Sequence, residues 1–393
     1  MISAGELSVD LACSGRRVTA VKLASTRRTD FSRVLEGKLV DEALSLVPLL
    51  FSLCGRAQAI AAVTAAEHAL DRGADHATRA LRRWLIVAEQ TQEYLWRLLV
   101  DLPAANGETT AVSNLAELRD CIAKMFKTVQ GGRSAHLPGE QLANAADDEL
   151  MHLLGLLESC IESQVLGQKI SAWRGGETAA AFLGWLETSN TVVTRALRHL
   201  AAATESTAHS AGFLSATAAG PALAGMIERL LDDAGFAASP AWQGRHPETG
   251  ALARRRSAPL IAALAAARCD RRLVRSAARL LELVDAIDAL RDVPAAALTA
   301  DNLGGGSLGA GIGYGWVETA RGLLIHAICL REGRIGTYRI LAPTEWNFHP
   351  QGPLVQELLA LKGQDAADLE QEAQLAVLAL DPCVGFRVRV RNA

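Results

Sequence analysis

Two cysteines sit in contexts that could do chemistry. Cys54 lies in Leu53-Cys54-Gly55-Arg56-Ala57-Gln58, at an expected helix terminus, and Cys383 in Asp381-Pro382-Cys383-Val384-Gly385-Phe386. A thiolate is a soft metal ligand and a nucleophile. The other five cysteines (Cys13, Cys121, Cys160, Cys269, Cys329) are scattered, and no two of the seven form a CxxC pair. An odd, dispersed set supports neither a disulfide framework nor a zinc knuckle and suits a reducing cytoplasm. On residue type alone, Cys54 and Cys383 read as packing thiols as readily as ligands. Two donor-bearing segments lie between them: Trp316-Val317-Glu318-Thr319-Ala320-Arg321-Gly322 and Pro343-Thr344-Glu345-Trp346-Asn347. By themselves, Arg321 could pair with Glu318, and Thr344 could be a turn hydroxyl.

Other chemistries are poorly supported. The glycines from Gly304 to Gly315 lack the Gly-Lys-Ser/Thr of a phosphate loop, so close backbone packing is the expectation there. The histidines, His326 and His349 included, have no metal-ligand spacing. Arg254–Arg256 with Arg268, Arg271, Arg272, Arg275 and Arg279 is expected to form a solvated face or to dock an acidic partner. With 40 Lys plus Arg against 43 Asp plus Glu, global basicity for nucleic acid is absent. The longest apolar run, Ala43 to Cys54, is broken by Ser45, Pro48 and Ser52 and is too short to span a bilayer. Glu6 and Asp10 argue against a secretory signal.

The elements that must position these residues are mainly helical. Few aromatics and many Ala, Leu and Arg residues favour helix. Alternation from Gly5 to Leu23 about Ser14-Gly15 reads as a β-hairpin. Helical periodicity covers Leu39–Leu70 with a boundary at Pro48, then 77–100, 114–128, 147–163, 178–203, 222–231, 259–267 and 273–290. Ala237–Arg256, rich in Pro, Gly and Arg, reads as a surface loop. Trp316–Cys329 and Arg334–Leu341 read as two strands joined at Arg331-Glu332-Gly333. Two helices, 351–362 and 365–380, and a strand at Phe386–Val390 follow. The fold class is mainly α with small β elements, an α+β arrangement.

Taken in order, these segments resemble the large subunit of nickel–iron hydrogenases. That family has an early RxCGxC motif before an Ala-rich helix, then Glu-Ala-Pro-Arg-Gly, Pro-Thr-Thr-Trp-Asn, and a terminal Asp-Pro-Cys-x-x-Cys-x-x-His. The resemblance runs from Gly5-Glu6-Leu7-Ser8-Val9 to Cys383. It implies one large-subunit-like domain over 1–393, with a hairpin region at 1–35, a helical core at 38–300, and a β-rich segment with the cysteine motif at 301–393. The departures matter as much. Ala57 and Phe386 replace the second cysteine of each pair, Arg389 stands at the terminal histidine, and Ala4 at the proton-relaying glutamate. Nickel in that family needs four thiolates, so neither nickel nor hydrogen turnover is expected, and the chain is not expected to be an enzyme.

Two cysteines kept and the nickel set lost resembles the HupK/HoxV-type hydrogenase accessory proteins. Leu49–Ala59 and Leu95–Pro103 fit that group better than a true large subunit. The resemblance implies a maturation scaffold that carries the Fe(CN)2(CO) unit before it enters the hydrogenase large-subunit precursor. Cys54 and Cys383 would hold the iron, and Arg321 and Thr344 would each face a cyanide. Partners would be that precursor, a small cofactor-delivery chaperone and other maturation proteins; no nucleic acid and no membrane insertion are expected. The strand Phe386–Val390 would be a movable cover. The alternative is a metal-free, degenerate large-subunit paralogue acting as a structural or chaperone-like partner.

Overall fold

The computed structural model describes residues 5–51, 54–108, 112–131, 137–138, 148–174, 176–202, 212–291 and 302–392. Ala4, at the position of the relay glutamate, lies outside them. The opening alternation becomes β1 (Glu6–Ser14) and β2 (Arg17–Ser25), antiparallel about a turn in which Gly15 takes φ +60°. Leu7, Val9, Leu11 and Cys13 fill one face of β1, as a period of two requires.

The stretch from Leu39 to Leu70 is two helices, α1 (Val40–Leu50) and α2 (Gly55–Leu70), with Pro48 in the last turn of α1. α2 is buried on nearly every side, Ala57 to Ala66 included. A helix apolar all round belongs inside a core, and its small side chains let a sheet approach its backbone. α3 (His76–Trp96) starts at Asp75, whose carboxylate accepts the Thr78 N–H at 2.7 Å, and runs into a π-turn at Arg97–Asp101. The expected helix at 178–203 is two, Ala179–Thr188 and Val192–Ala201. The break comes because the Thr191 hydroxyl caps a new start, accepting the Thr194 N–H at 3.1 Å.

The glycine-rich region differs from expectation. It supplies strands itself, giving four where two are read from the sequence: β3 (Leu303–Gly309), β4 (Ile312–Thr319), β5 (Gly322–Arg331) and β6 (Arg334–Leu341), an antiparallel meander. Trp316–Cys329 is not one strand, since the chain reverses at Ala320-Arg321. The glycines do pack closely. A Cβ on Gly313 would fall 2.2 Å from the Ala65 carbonyl oxygen, and one on Gly315 2.3 Å from that of Ala61. β4 thus lies directly on α2, whose N-terminus carries Cys54.

Ala237–Arg256 is not a surface loop throughout. From Pro247 to Ala253 it is buried, because Gly250 and Gly322 bring two backbones together: a Cβ on Gly322 would meet Thr249 at 2.4 Å. The arginine set is not a solvated face either. On the helix Arg271–Arg291, Arg275 contacts Glu248 at 2.9 Å and Glu357 at 2.6 Å, and Arg272 contacts Asp270 at 2.8 Å and Glu372 at 2.6 Å. Arg254 pairs with Glu282 at 2.8 Å and Glu318 at 3.0 Å. Only Arg256 and Arg268 of that set are exposed. The acidic partner comes from the chain itself, as buried charge demands.

Two helices, Pro353–Ala360 and Ala366–Leu380, lead to β7 (Gly385–Asn392). β7 pairs in parallel with β1, from Glu6↔Gly385 to Cys13↔Asn392, giving the order β2-β1-β7. The strand expected as a movable cover is the edge strand of this sheet, paired along its length with β1 and with Val388 buried. Mainly helical, with two small sheets, the architecture is α+β.

Candidate functional site

Cys54 occupies the N-cap of α2 but forms no side-chain cap, so its sulfur is left for other contacts. The free N–H groups of that helix end are met from α3. Glu89 accepts from Arg56 N at 3.0 Å and from Ala57 N at 2.9 Å. Gln58, one turn into α2, places its amide nitrogen 3.6 Å from Cys54 Sγ. Burial pushes the Cys54 thiol up to about 12; Arg321 opposes this, while Glu89, Cys383 and Glu93 add to it. The metal-free thiol therefore holds its proton at neutral pH.

Cys383 lies between the helix Ala366–Leu380 and β7. Asp381, in the left-handed region at φ 60°, ends that helix and turns the chain. The Thr344 hydroxyl donates to Cys383 Sγ at 3.0 Å. Thr344 sits in the first turn of the short helix Pro343–Asn347, next to Glu345, whose carboxylate accepts the Ala342 N–H at 3.0 Å.

Arg321 occupies the β4–β5 reversal. The Thr319 hydroxyl accepts the N–H groups of Arg321 and Gly322, each at 3.2 Å, and Asn347 Nδ2 donates to the Arg321 carbonyl at 3.3 Å. The guanidinium, 6% exposed, pairs with Glu93 through Nη1 and with Asp381 Oδ1 through Nε at 3.1 Å. Glu318, the neighbour suggested by sequence, belongs instead to Arg254. Although burial works against its charge, Asp381, Glu93, Cys54 and Cys383 together hold Arg321 above its ordinary range. Burial pushes Glu93 up to about 7, with Arg321 opposing. Asp381 is kept below the usual carboxylate range, despite burial, by Arg321, Arg97 and Arg279; its Oδ2 is buried without a partner among the described residues.

The structure therefore gathers Cys54, Cys383, Arg321 and Thr344 around one locale from four separate segments. It adds residues that the sequence did not single out. Arg27, just after β2, ion-pairs with Glu345, and its charge is supported by Glu345, Cys383 and Cys54 against the cost of burial. Glu89 and Glu93 arrive on α3, one turn apart. None of these carried a sequence signal, because each acts through a neighbour brought by the fold. Among the described residues, no cluster of three or more His, Cys, Asp or Glu side chains is arranged to hold a metal ion.

Over residues 262–388 the chain matches the family model of nickel-dependent hydrogenases. Across its whole length it is 32% identical to the hydrogenase expression/formation protein HupK of Rhizobium leguminosarum bv. viciae, covering 100% of this chain and 98% of the relative. The chain belongs to the HupK/HoxV family of hydrogenase expression/formation proteins. HupK of Bradyrhizobium diazoefficiens is 33% identical over 99% of this chain and 97% of its own. HoxV of Cupriavidus necator is 30% identical over 93% and 92%. The fold is that of a hydrogenase large subunit: the nickel–iron–selenium hydrogenase of Desulfomicrobium baculatum superposes with a TM-score of 0.64 over 95% of both chains, at 14% identity. In this HupK/HoxV protein no described helix is long and apolar enough to cross a membrane.

Proposed function

We propose that this HupK/HoxV protein is a hydrogenase maturation scaffold, without hydrogenase activity of its own, that carries the Fe(CN)2(CO) unit to the large-subunit precursor. Cys54 and Cys383 would supply the two protein ligands. One observation carries this reading: two thiols from distant parts of the chain flank a buried arginine, and among the described residues no cluster of three or more His, Cys, Asp or Glu side chains is arranged to hold a metal ion there. A metal held there must bring its remaining ligands with it, and an iron already bearing two cyanides and a carbonyl does so. Iron(II) with two cyanides and two thiolates has a net charge of −2, which Arg27 and Arg321 face. Two sulfurs also release cargo more readily than four.

Cyanide nitrogens accept hydrogen bonds, and Arg321 and Thr344 offer donors. Thr344 already donates to Cys383, so in this reading it holds the ligand sulfur until a cyanide competes for its proton. Loading removes the proton of Cys54, so iron binding strengthens as pH rises. A small delivery chaperone would be the donor partner and the large-subunit precursor the acceptor, in the cytoplasm.

A second reading is favoured by the carboxylates Glu93 and Asp381 on Arg321: a metal-free paralogue in which that arginine is only a structural cation. Infrared spectroscopy on protein produced with the maturation machinery separates the two. The scaffold shows cyanide and carbonyl stretches with iron and without nickel, and Cys54→Ser and Cys383→Ser each lose them. Protein without such bands, yet still capturing maturation partners, leaves the second reading.

A further inference from the structure

A chain of buried polar groups runs from the second sheet to Cys54. The Tyr338 hydroxyl, on β6, meets His326 Nδ1, on β5, at 2.8 Å. His326 Nε2 meets Gln58 Oε1, on α2, at 2.8 Å. Gln58 Nε2 meets Cys54 Sγ at 3.6 Å, a distance suited to the larger radius of sulfur. Tyr338 and His326 are fully buried and Gln58 is 2% exposed. The two rings lie edge to face, 5.7 Å apart, on one face of the sheet.

The direction of this chain follows from its far end. Among the described residues the Tyr338 hydroxyl has no partner except His326, and a buried O–H must donate. It therefore donates to Nδ1. Burial pushes the imidazole down to about 3, so it is neutral and carries a single N–H. That N–H is on Nε2 and points at the Gln58 amide oxygen. The amide nitrogen is then left facing the sulfur, which settles which way the side chain lies. Reversing the chain would strand the tyrosine proton in the core.

We propose that Gln58 is a positioning residue for the cargo site, a fixed N–H donor to the Cys54 sulfur whose orientation is set by His326 and Tyr338. The inference rests on Cys54 being an iron ligand. A donor to a metal thiolate draws electron density from the sulfur, tuning the metal, and holds the ligand in place. It also fixes the rotamer of Cys54, whose own helix gives it no cap bond.

The test compares infrared spectra and iron content of Gln58→Leu, Tyr338→Phe and Cys54→Ser, each produced with the maturation machinery. Without the donor, more density reaches the iron and the carbonyl, so the carbonyl stretch of Gln58→Leu moves to lower wavenumber. Its iron content falls about ten- to a hundredfold at limiting cofactor, the scale of a lost outer-shell partner. Tyr338→Phe removes one oxygen that never touches the sulfur. It moves the band the same way by less, a change that a purely structural role would not produce, and it serves also if Gln58→Leu does not fold. An unmoved carbonyl band in Tyr338→Phe, with iron still lost from Cys54→Ser, overturns this inference alone. Normal loading of Cys54→Ser overturns the iron-ligand reading itself.

Discussion

Glu89 completes the helix that Cys54 opens. Its two carboxylate oxygens take the Arg56 and Ala57 N–H groups at 3.0 and 2.9 Å, so the cysteine sulfur is spared the capping role. Burial raises the Glu89 carboxyl, and those two N–H bonds and Arg56 resist the rise. Glu89→Ala leaves both donors buried and unmet, costing about 1–3 kcal/mol for each. Glu89→Gln keeps one acceptor and should lose about half as much. Urea midpoints of the three proteins measure this; equal midpoints would remove Glu89 from the account.

Arg321 ties the candidate site to stability. Arg321→Leu removes a charged donor worth roughly 1.5–3 kcal/mol to a bound cyanide, which lowers iron occupancy about ten- to a hundredfold. It also leaves Glu93 and Asp381 buried without that cation, a loss of about 3–5 kcal/mol of folding stability. Arg321→Lys should restore part of the stability but less of the occupancy, since a lysine lacks the planar fork. Iron content normalised to folded protein separates the two effects. Unshifted cyanide stretches in Arg321→Leu would make Arg321 structural only.

Thr344→Val keeps the shape and deletes the hydroxyl that reaches Cys383 at 3.0 Å. The loaded protein should show displaced cyanide stretches, with iron content lower by about tenfold. Stability should fall by only about 1 kcal/mol. A spectrum identical to the parent's would assign Thr344 to the turn alone.

His326 makes a pH signature. Buried and neutral, its folded value is about 3, against about 6.5 in an unfolded chain. The unfolded state therefore binds the extra proton below pH 6.5, and stability is lost as pH falls from there toward 3. At pH 5 the loss is about 2 kcal/mol. Denaturant titrations of the parent and His326→Gln at pH 7 and pH 5 isolate it. The parent's advantage should shrink by that amount, and a constant difference would mean that the imidazole is not held neutral.

The hairpin, the helical middle and the class of fold were legible because amphipathic periods of two and 3.6 are local. The motifs around Cys54, Arg321, Thr344 and Cys383 were legible through family resemblance, their gathering only through tertiary structure. The arginines were misjudged because Glu248 meets both Arg271 and Arg275, while Glu357 and Glu372, from distant segments, return to meet Arg275 and Arg272. The reversal at Ala320-Arg321 has no Asn-Gly or Pro to announce it; the Thr319 hydroxyl makes the turn. Arg27, Gln58 and Glu89 stay silent in sequence because each is an ordinary polar residue until its partner arrives.

The parallel pairing of β1 with β7 places a delay on the site. Glu6 and Gly385 are neighbours in the sheet, yet the ribosome makes one long before the other. At about 5–20 residues per second, the free edge of β1 waits from roughly twenty seconds to more than a minute for its neighbour. Throughout that interval Cys54 has no Cys383. The pairing of these two cysteine segments thus follows translation of everything between them, and on the proposed reading a nascent chain would not hold iron before Cys383 has emerged.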